Sequence, residues 1–153
     1  MNIRKAKCND LSRVAEIYVL NNRIHFFPIF KDENYSFGEL QVVSLIDNYF
    51  KKDEIIENLY VFDNGLIRGF ILMNHTEIDK LYVDPFFQGR KIGEELLKFA
   101  IKELHAKNLW ALEKNSKAIS FYQRHGFYLT GKKKLEEDTT EYLVELELGT
   151  VQK

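Results

Sequence analysis

The stretch VDPFFQGRKIGEEL, Val83 to Leu96, joins a strand-like run to a helix-like one through a loop that holds two of the chain's eight glycines. Upstream, TEIDKLYV reads as a strand that ends at Asp84-Pro85, because proline donates no ladder hydrogen bond. Downstream, Ile92, Leu96, Leu97, Ala100, Ile101 and Leu104 recur at helical spacing and mark a long amphipathic helix closed by Lys107-Asn108. The first turn of such a helix carries backbone N–H groups without intrahelical acceptors and a partial positive charge. Gly89 and Gly93 open access to the main chain, and Arg90 and Lys91 add two cations, so a phosphate or diphosphate fits the junction. Neither G-x-x-x-x-G-K-[ST] nor G-x-G-x-x-G is present, which argues against ATP and dinucleotides.

The rest of the chain falls into one continuous order on either side of this junction. NIRKA is a strand candidate, and Asp10 caps a helix in which Leu11, Val14, Ala15 and Tyr18 share a face until Asn21-Asn22 stops it. Ser36 and Glu39 form an S-x-x-E capping box for a second helix, with Leu40, Val43, Asp47 and Phe50 on one side. The connecting loop, RIHFFPIFKDENYSF, is rich in aromatics; Phe26, Phe27, Phe30 and Phe37 either plug the core or wall a ligand site. LYVF, an Asn64-Gly65 turn, LIRGFILMN and TEIDKLYV predict an antiparallel meander.

After the long helix, LWALE reads as a buried strand, and Asn115 or Ser116 caps a short helix ended by Gly126 in a left-handed position. FYLTG and TTEYLVELEL predict a terminal hairpin in which Tyr142, Val144, Leu146 and Leu148 alternate with charges. An exposed last strand could pair with a second copy and give a homodimer. The order is β-α-α-β-β-β-α-β-α-β-β, without a repeat or a linker, so residues 1–153 are expected to form one α+β domain.

Composition narrows the partners. A formal net charge of -1 gives no general attraction to nucleic acid. Lys132, Lys133 and Lys134 are followed by Glu136, Glu137 and Asp138, which reads as a solvated hairpin with offsetting charges rather than an RNA site. Cys8 is the sole cysteine, so no internal disulfide or cysteine-built metal site is expected. The start lacks the apolar core of a signal peptide, and no run approaches the roughly 20 apolar residues of a membrane span. The expectation is a cytoplasmic protein that binds no metal and no membrane.

A second constellation, NSKAISFYQRHGF from Asn115 to Phe127, places Ala118 and Tyr122 one helical turn apart with Asn115 at the helix mouth. With it, the chain resembles the GNAT superfamily of acyl-CoA-dependent N-acyltransferases. One family signature, a strand followed by [RQ]-x-x-G-x-[GA] opening a helix, appears as LYVDPFFQGRKIG. The other, N-x-x-A-x-x-F-Y-x-x-x-G-F, is complete. The resemblance implies a mixed, mostly antiparallel sheet of about seven strands with helices on both faces. It implies acetyl-CoA as the acetyl donor, no metal, and transfer to a primary amine of a small molecule or peptide by direct attack.

By the same resemblance, main-chain groups of Leu81, Tyr82 and Val83 take the pantetheine and polarise the thioester. Gln88, Gly89, Arg90, Lys91, Ile92 and Gly93 cradle the diphosphate, with Asn115 and Ala118 beside the donor. Tyr122 is the expected general acid for the leaving thiolate. Glu77 and Asp79, on one side of their strand by period-two counting, are the expected bases, directly or through water. His25 and His75 are further titratable candidates, more in keeping with structural roles. Lys91 stands where the family pattern has its first loop glycine, and we expect it in the helical region with its N–H still turned to the diphosphate. A non-catalytic acyl-CoA-binding module acting as a sensor or partner subunit is the alternative.

Overall fold

The computed structural model describes residues 2–149. Its strands are β1 (Ile3–Lys5), β2 (Leu59–Asp63), β3 (Ile67–Asn74), β4 (Glu77–Val83), β5 (Asn108–Leu112), β6 (Phe127–Leu135) and β7 (Tyr142–Leu148). They form one seven-stranded sheet in the order β1-β2-β3-β4-β5-β7-β6, antiparallel throughout except for β4 beside β5. The helices are α1 (Leu11–Asn21), α2 (Phe27–Phe30), α3 (Val42–Leu45), α4 (Asp53–Ile56), α5 (Ile92–Glu103) and α6 (Ser116–Arg124).

Strand alternation divides the core in two. Phe70 and Leu72 of β3 pack with Leu11, Val14, Ala15 and Ile17 of α1 and with Phe50. Ile71 and Met73 pack on the opposite face against Leu96, Leu97 and Ala100 of α5, joined by Tyr122, Phe127 and Leu146. Helices therefore cover both faces, the expected architecture. Gly69 allows α5 to settle close to the sheet: a Cβ there would lie 3.0 Å from the Tyr82 carbonyl oxygen and 3.1 Å from Leu96 Cδ1. The Asn64-Gly65 turn is present, with Gly65 at φ 101° and its N–H donating to Asp63 Oδ1 at 3.0 Å.

The N-terminal half departs from expectation in several places. Asn21-Asn22 does not stop α1; the chain continues through wider π-type turns, Asn22–Phe26, into α2, and the helical path ends at left-handed Lys31. The stop signal fails because both amides are buried with partners. Asn21 Nδ2 donates to the carbonyls of Ile17 (2.9 Å) and Val83 (3.0 Å), and Asn22 Oδ1 accepts from Ser36 Oγ at 2.9 Å. Ser36 is thus a buried partner of Asn22, not a helix cap, and it lies inside a π-type turn, Asn34–Glu39. The next helix begins at Val42, continues through Ile46–Phe50, and leaves Val43 exposed while Phe50 is fully buried. Arg23 supplies donors where the helical path is interrupted, to the carbonyls of Ser36 (3.0 Å) and Leu40 (3.3 Å).

Asp10 sits at the start of α1 without capping it. Its carboxylate accepts from the Lys7 N–H at 2.8 Å and from the Arg4 guanidinium at 2.8 and 3.1 Å, and these bonds hold its pKa below the usual carboxylate range. The last strand is not an edge. β7 lies between β5 and β6, so β6 and β1 bound the sheet, and pairing of a second copy on the final strand is excluded by its neighbours. The three lysines of β6 are spread among partners: Lys133 meets Glu113 at 3.1 Å, Lys134 lies over the Trp110 ring, and Lys132 lies 4.0 Å from Glu145. Among the described residues no helix is long and apolar enough to cross a membrane.

Candidate active site

The site begins where two parallel strands part. β4 and β5 pair at Glu77 with Asn108 and at Ile78 with Leu109 and then diverge, while β7 pairs β5 along its length on the other edge. The Asp84 N–H donates to the Arg68 carbonyl at 2.8 Å. Since alternate residues of an antiparallel strand face the same neighbour, Tyr82 also spends its main chain on β3, while Leu81 and Val83 turn theirs into the fork. Tyr82 therefore departs from its expected main-chain role; what it brings to the site is its ring, packed edge-on against Tyr18 and Phe26. The Val83 carbonyl is met there by the Asn21 amide, a contact that no local signal predicts.

At the end of β4, Asp84 fixes the direction of the loop. It is buried, accepts from Phe86 N–H at 2.8 Å, and is held by Arg13 at 2.6 Å. Arg13 also donates to the Ile67 carbonyl, so α1, β3 and the loop are tied together at one carboxylate. The α5 ladder starts with Glu95 N–H donating to the Lys91 carbonyl at 3.0 Å. The N–H groups of Ile92, Gly93 and Glu94 thus have no acceptor within the helix.

Lys91 is not in the right-handed helical region. Its φ of 63° and ψ of 17° are left-handed, the conformation for which glycine is the low-cost residue. Gly89, at φ 82°, takes the other left-handed position of the loop. Arg90 turns away from the cradle, with its guanidinium over the Phe87 ring at 5.2 Å.

Gln88, Gly89, Lys91, Ile92 and Gly93 open onto a cleft of about 450 Å³ that runs to Leu81, Val83, Asn115, Ala118 and Tyr122. Lys117 and Arg124 of α6 also face it. Sequence reading missed them, although both lie within the second motif at positions facing the loop. Glu94 would oppose an anion here, but it is engaged by His125 Nε2 at 3.1 Å and Lys98 Nζ at 3.5 Å, which hold its pKa below the usual range. His25 lines the same cleft, and burial together with the Lys117 charge lowers its pKa, so it is a neutral wall at pH 7. His75 is exposed in the β3–β4 turn.

Tyr122 stands where this cleft meets a second one of about 800 Å³, and it lines both. Asn115 sets the start of α6 by accepting from Ala118 N–H at 3.2 Å, which places Ala118 and Tyr122 on the fork. The Tyr122 side chain is 8% exposed, packs edge-on against Phe121 and Phe127, and its hydroxyl has no partner among the described residues. Burial raises its pKa well above the ordinary phenol value.

Glu77 and Asp79 both line the second cleft. Leu72 and Met73 of β3 face Lys80 and Ile78, leaving Asp79 as an extra residue, a bulge that brings Lys80 to the cleft as well. Asp79 accepts from the Tyr49 hydroxyl at 3.2 Å and Lys80 Nζ at 3.3 Å, while Glu77 accepts from Asn108 Nδ2 at 3.0 Å. Burial first, offset in part by Lys80, pushes the Tyr49 phenol up to about 12. Phe26 and Phe30 wall the second cleft, whereas Phe27 and Phe37 pack on each other at 5.1 Å. Of the two uses expected for the aromatic run, Phe26 and Phe30 serve the wall, and none of the four phenylalanines joins the core, Phe37 being exposed.

Comparison with known proteins places this arrangement. A peptidyl-lysine N-acetyltransferase, YjaB of Salmonella typhimurium, is 30% identical over 69 residues, 45% of this chain and 48% of the relative. The chain thus spans about half the length of that relative. A spermidine N(1)-acetyltransferase of Thermoplasma acidophilum is 25% identical over 141 residues, 83% of this chain and 88% of its own. The solution structure of apo YjaB from Escherichia coli superposes with a TM-score of 0.74 at 20% identity, covering 95% of each chain. The acetyltransferase (GNAT) domain family matches residues 50–129, a little over half of the chain. The chain belongs to the GNAT acetyltransferase family.

Proposed function

We propose that this protein is an acetyl-CoA-dependent N-acetyltransferase that acts on a primary amine. One observation carries the reading: the Leu81 main chain and the Val83 N–H at the β4–β5 fork, the unpaired N–H groups at the start of α5, and the Tyr122 side chain line one cleft. The first-turn amides of α5, with Lys91, Lys117 and Arg124 nearby, suit a diphosphate. The Leu81 and Val83 main chains suit the amide-rich pantetheine arm, and a strand N–H at the fork suits the oxyanion that develops on the thioester carbonyl.

In the transfer, the amine nitrogen forms a bond to the carbonyl carbon and the carbon–sulfur bond breaks. The nitrogen loses a proton to Glu77 or Asp79, directly or through water, and the sulfur gains one through Tyr122. Because burial keeps Tyr122 protonated, it acts foremost as a hydrogen-bond donor to the leaving sulfur. The two named relatives, one for peptidyl-lysine and one for spermidine, support an amine acceptor of small-molecule or peptide type.

Thiol release from acetyl-CoA, measured across amino acids, polyamines, amino sugars and short peptides, tests the reading. Release that depends on one class of amine is the expected result; none with any amine would contradict it. Glu77→Gln and Asp79→Asn assign the base: the one that carries the proton loses most of its rate and shifts the acidic limb of the pH profile.

A further inference from the structure

We propose that Asn21 is a further binding residue for the acetyl donor, its side-chain oxygen accepting an N–H from the pantetheine arm. This rests on the acetyltransferase reading and on the way the Asn21 amide is held. Asn21 is the last residue of α1, is 3% exposed, and lines the first cleft beside Leu81 and Val83.

Two carbonyls set the orientation of that amide. Nδ2 lies 2.9 Å from the Ile17 carbonyl oxygen and 3.0 Å from that of Val83. A carbonyl can only accept, so the nitrogen must face both, and its two hydrogens are spent. Oδ1 is thereby turned away from them and has no hydrogen-bond partner among the described residues. It is not sealed in the interior either, since the enclosed side-chain polar atom that lacks a partner among those residues is Arg68 Nε. The opening left to the Asn21 oxygen is the cleft that Asn21 lines.

Val83 creates the need for such an acceptor. Its carbonyl takes the Asn21 amide and, at 3.5 Å, Gln88 Nε2, so both lone-pair directions are used. What Val83 offers the fork is its N–H, because the Asp84 N–H donates to the Arg68 carbonyl and successive residues of an antiparallel strand face opposite neighbours. A secondary amide whose oxygen lies against the Val83 N–H needs an acceptor for its own N–H, and a donor left unpaired there would weaken the complex. The acceptor that the main chain withholds at Val83 comes instead from α1. The pantetheine arm of coenzyme A carries two secondary amides, and Asn21 Oδ1 suits the N–H of one of them.

Calorimetry tests this with acetyl-CoA and two analogues, in each of which an ester oxygen replaces one pantetheine N–H, on the wild-type protein and on Asn21→Ala. For one of the analogues the wild-type protein is expected to lose about tenfold in affinity relative to acetyl-CoA, and Asn21→Ala to lose less than about twofold on the same replacement. An Asn21 that only holds β4 to α1 would weaken all three ligands alike when removed. Such additivity, or equal wild-type affinity for all three, would overturn the proposal while leaving the acetyltransferase reading intact. Should the variant fail to fold, NMR of the wild-type protein decides: the Asn21 side-chain amide signals are expected to move further with acetyl-CoA than with that analogue, and equal movement would overturn the proposal. Absence of acetyl-CoA binding at millimolar levels would sink both readings.

Discussion

The two clefts that meet at Tyr122 are built by different means. The first cleft draws much of its lining from one contiguous stretch: the end of β4, the loop after Asp84 and the first turn of α5. Such a site needs a strand to end, a helix to begin and glycines to keep the path open, and those requirements are written in a short contiguous stretch. The second cleft is lined by residues drawn from an interrupted helical segment, a strand bulge and a distant turn. Nothing local binds those residues to one another. A site of the first kind is readable from a motif, while one of the second kind emerges only when the chain is folded.

Asp84 tests the donor side of that contrast most severely. Asp84→Ala would remove the buried carboxylate from the Arg13 guanidinium, leaving it only the exposed Glu16, and would free the loop direction, with an expected stability loss of about 3 kcal/mol. Urea unfolding measures it, and acetyl-CoA affinity should fall as well. A loss within experimental error would mean that the loop is held by something other than this ion pair.

Tyr122→Phe probes the boundary between the clefts. Turnover should drop about 100-fold, equivalent to about 2.7 kcal/mol, with acetyl-CoA affinity nearly unchanged. Because burial raises the phenol pKa, protonated Tyr122 persists up to and beyond its ordinary titration range near pH 10. The wild-type rate should therefore not decline between pH 8 and about 10 on account of this residue. An unaltered rate in the variant would remove its role.

Lys91→Gly sharpens the comparison within the loop. Glycine relieves the left-handed conformation, an expected gain of about 1 kcal/mol in stability, and removes one cation from the diphosphate cradle. Acetyl-CoA affinity should then depend less steeply on salt. Tighter binding by the variant with unchanged salt dependence would mean that the lysine contributes strain and no attraction.

The smallest effect concerns Asp10, outside both clefts. Its folded pKa is depressed, so its contribution is present above the unfolded value near 4 and is lost as pH falls through the folded one. Urea midpoints should decline below about pH 4, and Asp10→Asn should flatten that decline.

Much of the C-terminal half was legible because its signals are local and unopposed. Asn115 caps α6, Gly126 takes a left-handed φ of 95°, and the α5 stripe is buried at Ile92, Leu96, Leu97 and Ala100. The N-terminal half was less so, because tertiary partners override local signals there. Asn21 and Asn22 carry the composition of a helix stop, but burial against Val83 and Ser36 turns them into interior links. Ser36 has the spacing of a capping residue and spends its hydroxyl elsewhere. Lys91 holds a conformation that composition alone would assign to glycine. Gly69 gave no sign of its purpose, since the need for it comes from α5, which arrives from farther along the chain.

In the proposed function, the first-turn amides of α5 and the part of β4 that faces the fork hold the acetyl donor with its thioester at Tyr122. Amide-resolved NMR during titration with acetyl-CoA tests this most directly. The signals of Ile92, Gly93 and Glu94 are expected to move together with those of Leu81 and Val83 and to saturate along one binding curve. Shifts absent at millimolar acetyl-CoA, or confined to residues away from the fork and the α5 terminus, would contradict it.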